Sequence, residues 1–320
     1  MYDIAIIGAG PAGATAARLL GGRYSVLLLD KRTFGASGRV KCCAGLVAQD
    51  GQRVLASLGR PLPGKVLVEP QVSALRLIDM DSRTQRFLSR RYANVDRDAF
   101  DRWLVSLVPA RVKTAFDCTV RGCRRAGSGH EVAFTNAAGR RLRAAAAVVV
   151  AADGAGSAVR RQLFPGRPAP PAYLAIQEWF RCVRPRPHAS IVLDRRTTDY
   201  CGWAIPKDGE LVVGAALRPG PGAAGRFELF KGRLARFGFS LGRPVRRCGA
   251  MYSRSGPRRE VFLGDGGAAL VGEAAGLVSP EGISFALASG ALLAGCMLRG
   301  LKGFPQRYLR AIQLLTASGA

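Results

Sequence analysis

Near the start of the chain, Gly8, Gly10 and Gly13 in G-x-G-x-x-G spacing, followed by Asp30, have the types and spacing to hold a dinucleotide. In that pattern the first glycine permits a tight turn out of a strand. The second lets the backbone approach a pyrophosphate. The third lets a helix pack closely, with the phosphates on its N-terminal N–H groups. Pro11 and Ala12 lie within the same turn, and Lys31 follows Asp30. Asp30 ends the next apolar run, where a carboxylate accepts a hydrogen bond from a ribose hydroxyl. A second stretch is Lys41-Cys42-Cys43-Ala44. A thiol beside a lysine can serve as proton donor or redox group, or one cysteine of the pair can be structural. Arg97 opens a helix, from which it could reach a cofactor or simply face solvent. Asp153 and Gly154, with Ser157, follow a buried run and suit either a cofactor ribose or a helix cap. Glu273, Gly276, Pro280, Gly282 and Ile283 lead into a helix of small residues, whose N-terminus favours an electron-rich ring or an anion.

The elements that must position these residues are legible in outline. Tyr2 to Ile7 and Ser25 to Leu29 read as buried parallel strands flanking an Ala/Leu-rich helix. Residues 47–59 read as a helix, and 65–68, 74–79 and 85–88 as short antiparallel strands. Phe100, Trp103, Leu104 and Leu107 share one helical face. Residues 112–151 alternate and turn like a β-meander with a return strand, and 172–217 carry further strands. His130 falls at a hairpin tip and His188 after a Pro-rich loop, so neither makes a convincing acid. A helix near 227–237, a hairpin at 261–272, a helix over 282–299 and a last helix over 305–315 complete the reading. The expected fold is α/β: a Rossmann-type dinucleotide domain with parallel sheet and β-meander, plus an interleaved α+β substrate lobe with an antiparallel sheet. The expected boundaries are 1–64, 96–165 and 259–304 for the first, 65–95 and 166–258 for the second, and 305–320 for a C-terminal helix.

A chain of 320 residues can build a large core. Its 48% hydrophobic and 22% charged residues are those of a soluble globular protein. The most apolar stretch, 286–301, is broken by Ser289, Gly290, Gly295 and Arg299, and the first residues lack a basic leader, so the expected location is cytoplasmic. The net charge of +26 invites anionic partners. Its arginines, however, are spread in pairs such as Arg90-Arg91 and Arg246-Arg247, a poor nucleic-acid footprint. An acidic redox partner or peripheral contact with an anionic membrane fits better. The eight Cys include no C-x-x-C, and the two His lie at no zinc spacing, so no metal and mostly reduced thiols are expected.

The three cofactor stretches, in this order, resemble the flavoprotein fold of the p-hydroxybenzoate hydroxylase and glutathione reductase type. Asp153-Gly154 with Ser157 and Arg160 is similar to the DG motif of that fold. Gly272-Glu273 with Gly276, Pro280 and Gly282 is similar to its GD motif, with Glu273 replacing the usual Asp. Within the fold the chain resembles the geranylgeranyl reductase group. Lys41-x-Cys43-x-Gly45 looks like its K-x-C-x-G. Tyr200-x-x-Trp203-x-Ile205-Pro206, seven residues and then Gly214 look like its Y-x-x-W-x-F-P…G-x-G, with Ile205 for Phe and Ala216 for the second Gly. The resemblance implies FAD, with NAD(P)H or a reduced electron carrier as donor, and reduction of C=C bonds in a prenyl or other hydrophobic substrate. It makes Cys43 and Tyr200 candidates for shaping or protonating the substrate and Trp203 a candidate wall, with Tyr200 and Trp203 as plain core aromatics the alternative. It also implies cofactor contacts from Lys41, Cys42, Cys43, Ala44 and Arg97. A flavin monooxygenase or halogenase shares the fold. The halogenase W-x-W-x-I-P lacks its first Trp here, where Cys201 stands. A flavin- or anion-binding module without catalysis is the rival from another class.

Overall fold

In the computed structural model, the described residues are 1–35, 41–182, 186–254, 261–278 and 282–317. Its contacts divide the chain into two units: Met1–Val40, Phe100–Pro170 and Ser255–Ala320 form the first, and Lys41–Ala99 and Pro171–Arg254 the second.

The first unit is built on an eight-stranded sheet. Tyr2–Ile7 lies at its centre, parallel to Arg141–Ala151 on one side and to Val26–Leu29 on the other. Ala268–Leu270 and Lys113–Ala115 extend the parallel set outward. Ile4 and Ile6 are fully buried, as a strand covered on both faces requires. Thr119–Ala126 and Gly129–Thr135 form the meander, antiparallel to the first half of Arg141–Ala151. His130 stands beside the hairpin turn that the sequence expects and is 3% exposed, with Gly129–Thr135 also paired to Arg141–Ala151. The helices Pro11–Leu20 and Gly282–Leu298 pack on each other, and Phe304–Ala317 packs on the latter. Buried Tyr308 donates its hydroxyl to the Leu270 carbonyl at 3.2 Å, tying the last helix to the sheet. This is the α/β architecture expected, with a parallel core and an attached meander.

The second unit carries a seven-stranded sheet in the order Pro244–Ser253, Ala172–Arg181, Glu210–Leu217, Gly202–Lys207, His188–Leu193, Ala74–Asp79, Thr84–Leu88. All neighbours are antiparallel except His188–Leu193 and Ala74–Asp79, which run parallel. The helix Ala223–Leu234 covers one face. Its fully buried Phe227, Phe230 and Leu234 pack against Ile176, Phe180, Val213 and Ala215. Successive strand residues alternate faces, so Gln177, Val212, Trp203 and Ile205 point away from that helix. Residues 65–68, expected as a strand, begin instead with the 3₁₀ turn Gly64–Val66. Pro244–Ser253, a ten-residue edge strand, carries no alternating pattern in the sequence and was not expected. Among the described residues no helix is long and apolar enough to cross a membrane.

A Cβ on Gly13 would fall well under 3.0 Å from the Gly8 carbonyl oxygen, which is backbone and cannot move aside. Gly13→Ala is therefore expected to cost at least about 2 kcal/mol of stability. An unchanged urea midpoint would show that this contact does not limit the fold.

Candidate functional site

In the first unit the parallel strands deliver three loops to one place. Gly8 leaves its strand at φ +104°, a left-handed conformation open to glycine, and a Cβ there would collide with the Ala152 carbonyl. The turn after Ile7 and the turn after Ala151 are thus in backbone contact. A Cβ on Gly10, by contrast, would meet nothing within 4 Å. Open space therefore lies over the turn at the N-terminus of Pro11–Leu20, where Pro11 takes a first-turn position. Ala12 and Gly13 are buried in that first turn.

Asp30 is 7% exposed and holds the turn from the next strand end. Its Oδ2 accepts from Ala9 N at 2.6 Å and from Arg32 Nη2 at 3.1 Å. Its Oδ1 accepts from Arg32 N at 2.8 Å and Nε at 3.1 Å. Arg32 also reaches Asp101 at 2.6 Å. Burial disfavours the guanidinium charge, but Asp30 and Asp101 outweigh it and hold Arg32 above its ordinary value. A carboxylate has about four lone-pair positions. All are engaged, so a ribose hydroxyl binding Asp30 takes the place of an Arg32 contact. Lys31 is exposed beside this cluster.

Asp153 serves as a cap and more. Its Oδ2 accepts from Ala158 N at 2.8 Å and Val159 N at 3.2 Å, while Ser157 Oγ accepts from Arg160 N at 3.0 Å. Its Oδ1 is buried and has no hydrogen-bond partner among the described residues. Burial raises its pKa, opposed by the Ser157 hydroxyl and the capping N–H groups. Buried Arg160 donates to the Ala274 carbonyl at 3.0 Å and to the Pro168 carbonyl, fastening this loop to the 3₁₀ turn Gly272–Ala275. A Cβ on Gly154 would lie 3.7 Å from Glu273 Oε2. Gly276 ends the turn at φ +81°. Gly282 and buried Ile283 start the long helix, and the buried Ser284 Oγ there also lacks a partner among the described residues. Pro280 lies outside the described residues. Three sequence-separated segments are thus brought together, and they fit a dinucleotide cofactor. The space over Gly10 suits a pyrophosphate, and Asp153 Oδ1 and Ser284 Oγ are buried polar atoms without partners among the described residues.

In the second unit a different set converges. Lys41 N donates to Asp98 Oδ1 at 2.7 Å. Cys42 is joined to Cys248 by a disulfide that closes 206 residues of chain. This corrects the expectation of reduced thiols for one pair. The pairing follows from the unexpected edge strand, which carries Cys248. Cys43 keeps its thiol. Its Sγ accepts from Arg97 Nη1 at 3.1 Å and from Gly45 N at 3.5 Å. Lys207 Nζ donates to Asn94 Oδ1 at 2.6 Å and to the Val95 carbonyl at 2.7 Å. Burial pushes its ammonium down to about 8, against the pull of Cys43, Asp96 and Asp208. Ala44 and Trp203 border one apolar cluster around Val72, Ala189 and Ile205. The two stretches Lys41–Gly45 and Tyr200–Pro206 therefore meet on the sheet face opposite the helix. Tyr200 stands apart from the indole. Its hydroxyl is 3.3 Å from that of Tyr252, its ring stacks on Tyr252 at 5.8 Å, and Arg254 lies over it at 5.4 Å. Burial raises its pKa and keeps the phenol protonated.

Sequence reasoning passed over Gln177, Asn94, Lys207 and Cys248. Gln177 carried a signal as the lone amide in the apolar run Leu174 to Phe180. Cys248 carried none, since its partner is set by sheet register.

No family model matches the chain. Over 322 aligned residues it is 37% identical to the protein CbrA of Escherichia coli, covering 98% of this chain and 86% of that protein. The CbrA of Shigella sonnei is similar to the same degree, with 89% of its length covered. Among solved structures, a geranylgeranyl bacteriochlorophyll reductase-like protein from Thermoplasma acidophilum superposes with TM-score 0.80 at 21% identity. The match covers 99% of this chain and 83% of that one. The myxobacterial FAD-dependent halogenase CndH gives TM-score 0.75 at 19% identity, over 97% and 78% of the two chains. The chain shares its fold with this reductase-like protein and this FAD-dependent halogenase.

The displaced ammonium of Lys207 has a pH signature. Its folded-state value near 8 lies below the ordinary 10.5, so between those values the unfolded chain holds more protons and stability rises with pH. Relative to Lys207→Met, the wild-type chain is expected to gain stability from about pH 7.5 to about pH 10, read as the difference in urea midpoints. Parallel profiles would contradict a buried, destabilised charge.

Proposed function

The chain belongs to the CbrA family, and we propose that it is an FAD-dependent oxidoreductase that reduces C=C bonds of a prenyl or similarly hydrophobic substrate. The observation that carries this reading is the meeting of Lys41–Gly45 and Tyr200–Pro206 at one apolar cluster in the second unit. Both stretches resemble the pattern of the geranylgeranyl reductase group, with Ile205 in place of its Phe, and one structural neighbour is a geranylgeranyl bacteriochlorophyll reductase-like protein.

In this reading the first unit holds the ADP half of FAD. The helix N-terminus over Gly10 receives the pyrophosphate, Asp30 accepts from the ribose with partial release of Arg32, and Asp153 Oδ1 accepts a further hydroxyl. Bound and reduced, FAD supplies a hydride. The protein's own residues do the rest. Trp203, half-buried at the border of the buried cluster Val72, Ala189 and Ile205, supplies the apolar wall. Cys43, with Arg97 donating to its sulfur, is the group placed to hold or deliver a proton, and Tyr200 is a second phenolic donor kept neutral by burial. Electrons come from NAD(P)H or a reduced carrier. The +26 charge favours an acidic carrier, or an anionic membrane surface that presents the substrate. Cys201 in place of the first halogenase Trp weighs against halogenation.

The test is anaerobic. FAD-loaded protein, reduced and mixed with a prenyl alkene, is expected to reoxidise without oxygen and to give a product heavier by two hydrogens. Cys43→Ser is expected to slow that step roughly 10²-fold while keeping its flavin. Reoxidation only in air, with an oxygen atom in the product, would replace this reading with the monooxygenase one.

A further inference from the structure

Four residues stand in one row across the second unit's sheet. Cys248 is the direct cross-strand partner of Gln177, Gln177 of Gly214, and Gly214 of Trp203. Directly opposed residues of paired strands point to the same face. Here it is the face opposite the helix Ala223–Leu234. The row begins at a covalent bond, the Cys42–Cys248 disulfide, and ends at the indole of Trp203.

Polar contacts run along this row in a fixed direction. The indole N–H can only donate, and Trp203 Nε1 lies 3.2 Å from Gln177 Oε1. That contact settles which end of the amide faces Trp203. It leaves the NH₂ end for Cys248, and Gln177 Nε2 lies 3.6 Å from Cys248 Sγ. Gln177 is 1% exposed, so water does not satisfy either end. Gly214 supplies the second constraint. A Cβ there would fall well under 3.0 Å from Nε1, Cε2 and Cζ2 of the indole, so this edge of the ring packs directly on the Glu210–Leu217 backbone. The strand backbone limits where the indole can lie, and the amide oxygen holds its N–H.

We propose that Gln177 is the positioning residue for Trp203, anchored in turn by the Cys42–Cys248 disulfide. The Lys41–Gly45 and Tyr200–Pro206 stretches are therefore mechanically one unit. The inference deepens the reading of Trp203 as a substrate wall and rests on it for its functional meaning. The linkage itself needs neither flavin nor substrate. It has a redox consequence. When a small dithiol donates two electrons and two protons and leaves as its own cyclic disulfide, Cys42 and Cys248 become thiols. The anchor of Gln177 is then released from the Lys41–Gly45 segment.

The test is the Trp203 indole N–H resonance of ¹⁵N-labelled full-length protein, assigned with Trp203→Phe. In Gln177→Leu, the indole proton is expected to exchange with solvent about tenfold faster. Gln177→Glu, which keeps an acceptor, is expected to restore slow exchange. Reduction of the wild-type protein with dithiothreitol needs no variant, and is expected to shift the Trp203 resonance while Trp103 stays in place. A Trp203 signal unmoved by both Gln177→Leu and reduction overturns the proposal, as does a shift shared equally by Trp103. Because this readout needs no cofactor, failure of the proposed reaction leaves it standing, and its failure leaves the reaction to be judged on its own assay.

Discussion

Backbone against backbone, with no side chain between, is the contact on which the first unit depends. The turn after the central strand touches the turn after the return strand at Gly8, and the first helix closes on that turn at Gly13. Any Cβ at either place would hold these segments apart. With them in contact, the N-terminal N–H groups of Pro11–Leu20 face the open space over Gly10, Asp30 reaches Ala9 N, and Asp153 arrives beside the turn. The long helix Gly282–Leu298 then packs on the first, bringing Glu273 to Gly154 through the turn that precedes it. The approach of these segments thus follows from steric permission at two glycines.

The second unit solves a different problem, keeping polar groups on an apolar sheet face without exposing them. Asn94 is fully buried, and its amide donates to the Pro70 and Pro206 carbonyls at 2.9 and 2.7 Å while its oxygen receives Lys207. Gln177 is satisfied by an indole and a sulfur. Arg97 donates to a thiol. Each polar group is matched to a neighbour of complementary kind, so the face keeps its apolar centre at Val72, Ala189 and Ile205.

Local patterns in the sequence carried much of this. A buried strand, three glycines, a helix and a terminal acid declare themselves because each step follows from neighbouring residues. The same holds for the helix at 282–298. What stayed hidden depends on register between distant strands. The Pro244–Ser253 strand has Pro244, paired arginines and Gly249 where a strand signal would show alternation, yet it completes the sheet edge. The Cys42–Cys248 bond and the Cys248–Gln177–Gly214–Trp203 row exist only once that strand is in place. Asp153 was legible as a cap or as a cofactor residue, and its two oxygens differ. One caps a helix, and the other remains without a partner among the described residues.

The most direct measurement is an FAD titration of the flavin-free chain, followed by absorbance and run beside Gly10→Arg. The Gly10 position is open, so the variant is expected to fold with an unchanged urea midpoint. The wild-type chain is expected to bind one FAD per chain and the variant none. Saturable FAD binding by Gly10→Arg, or none by the wild type, would contradict the dinucleotide site on which the whole reading is built.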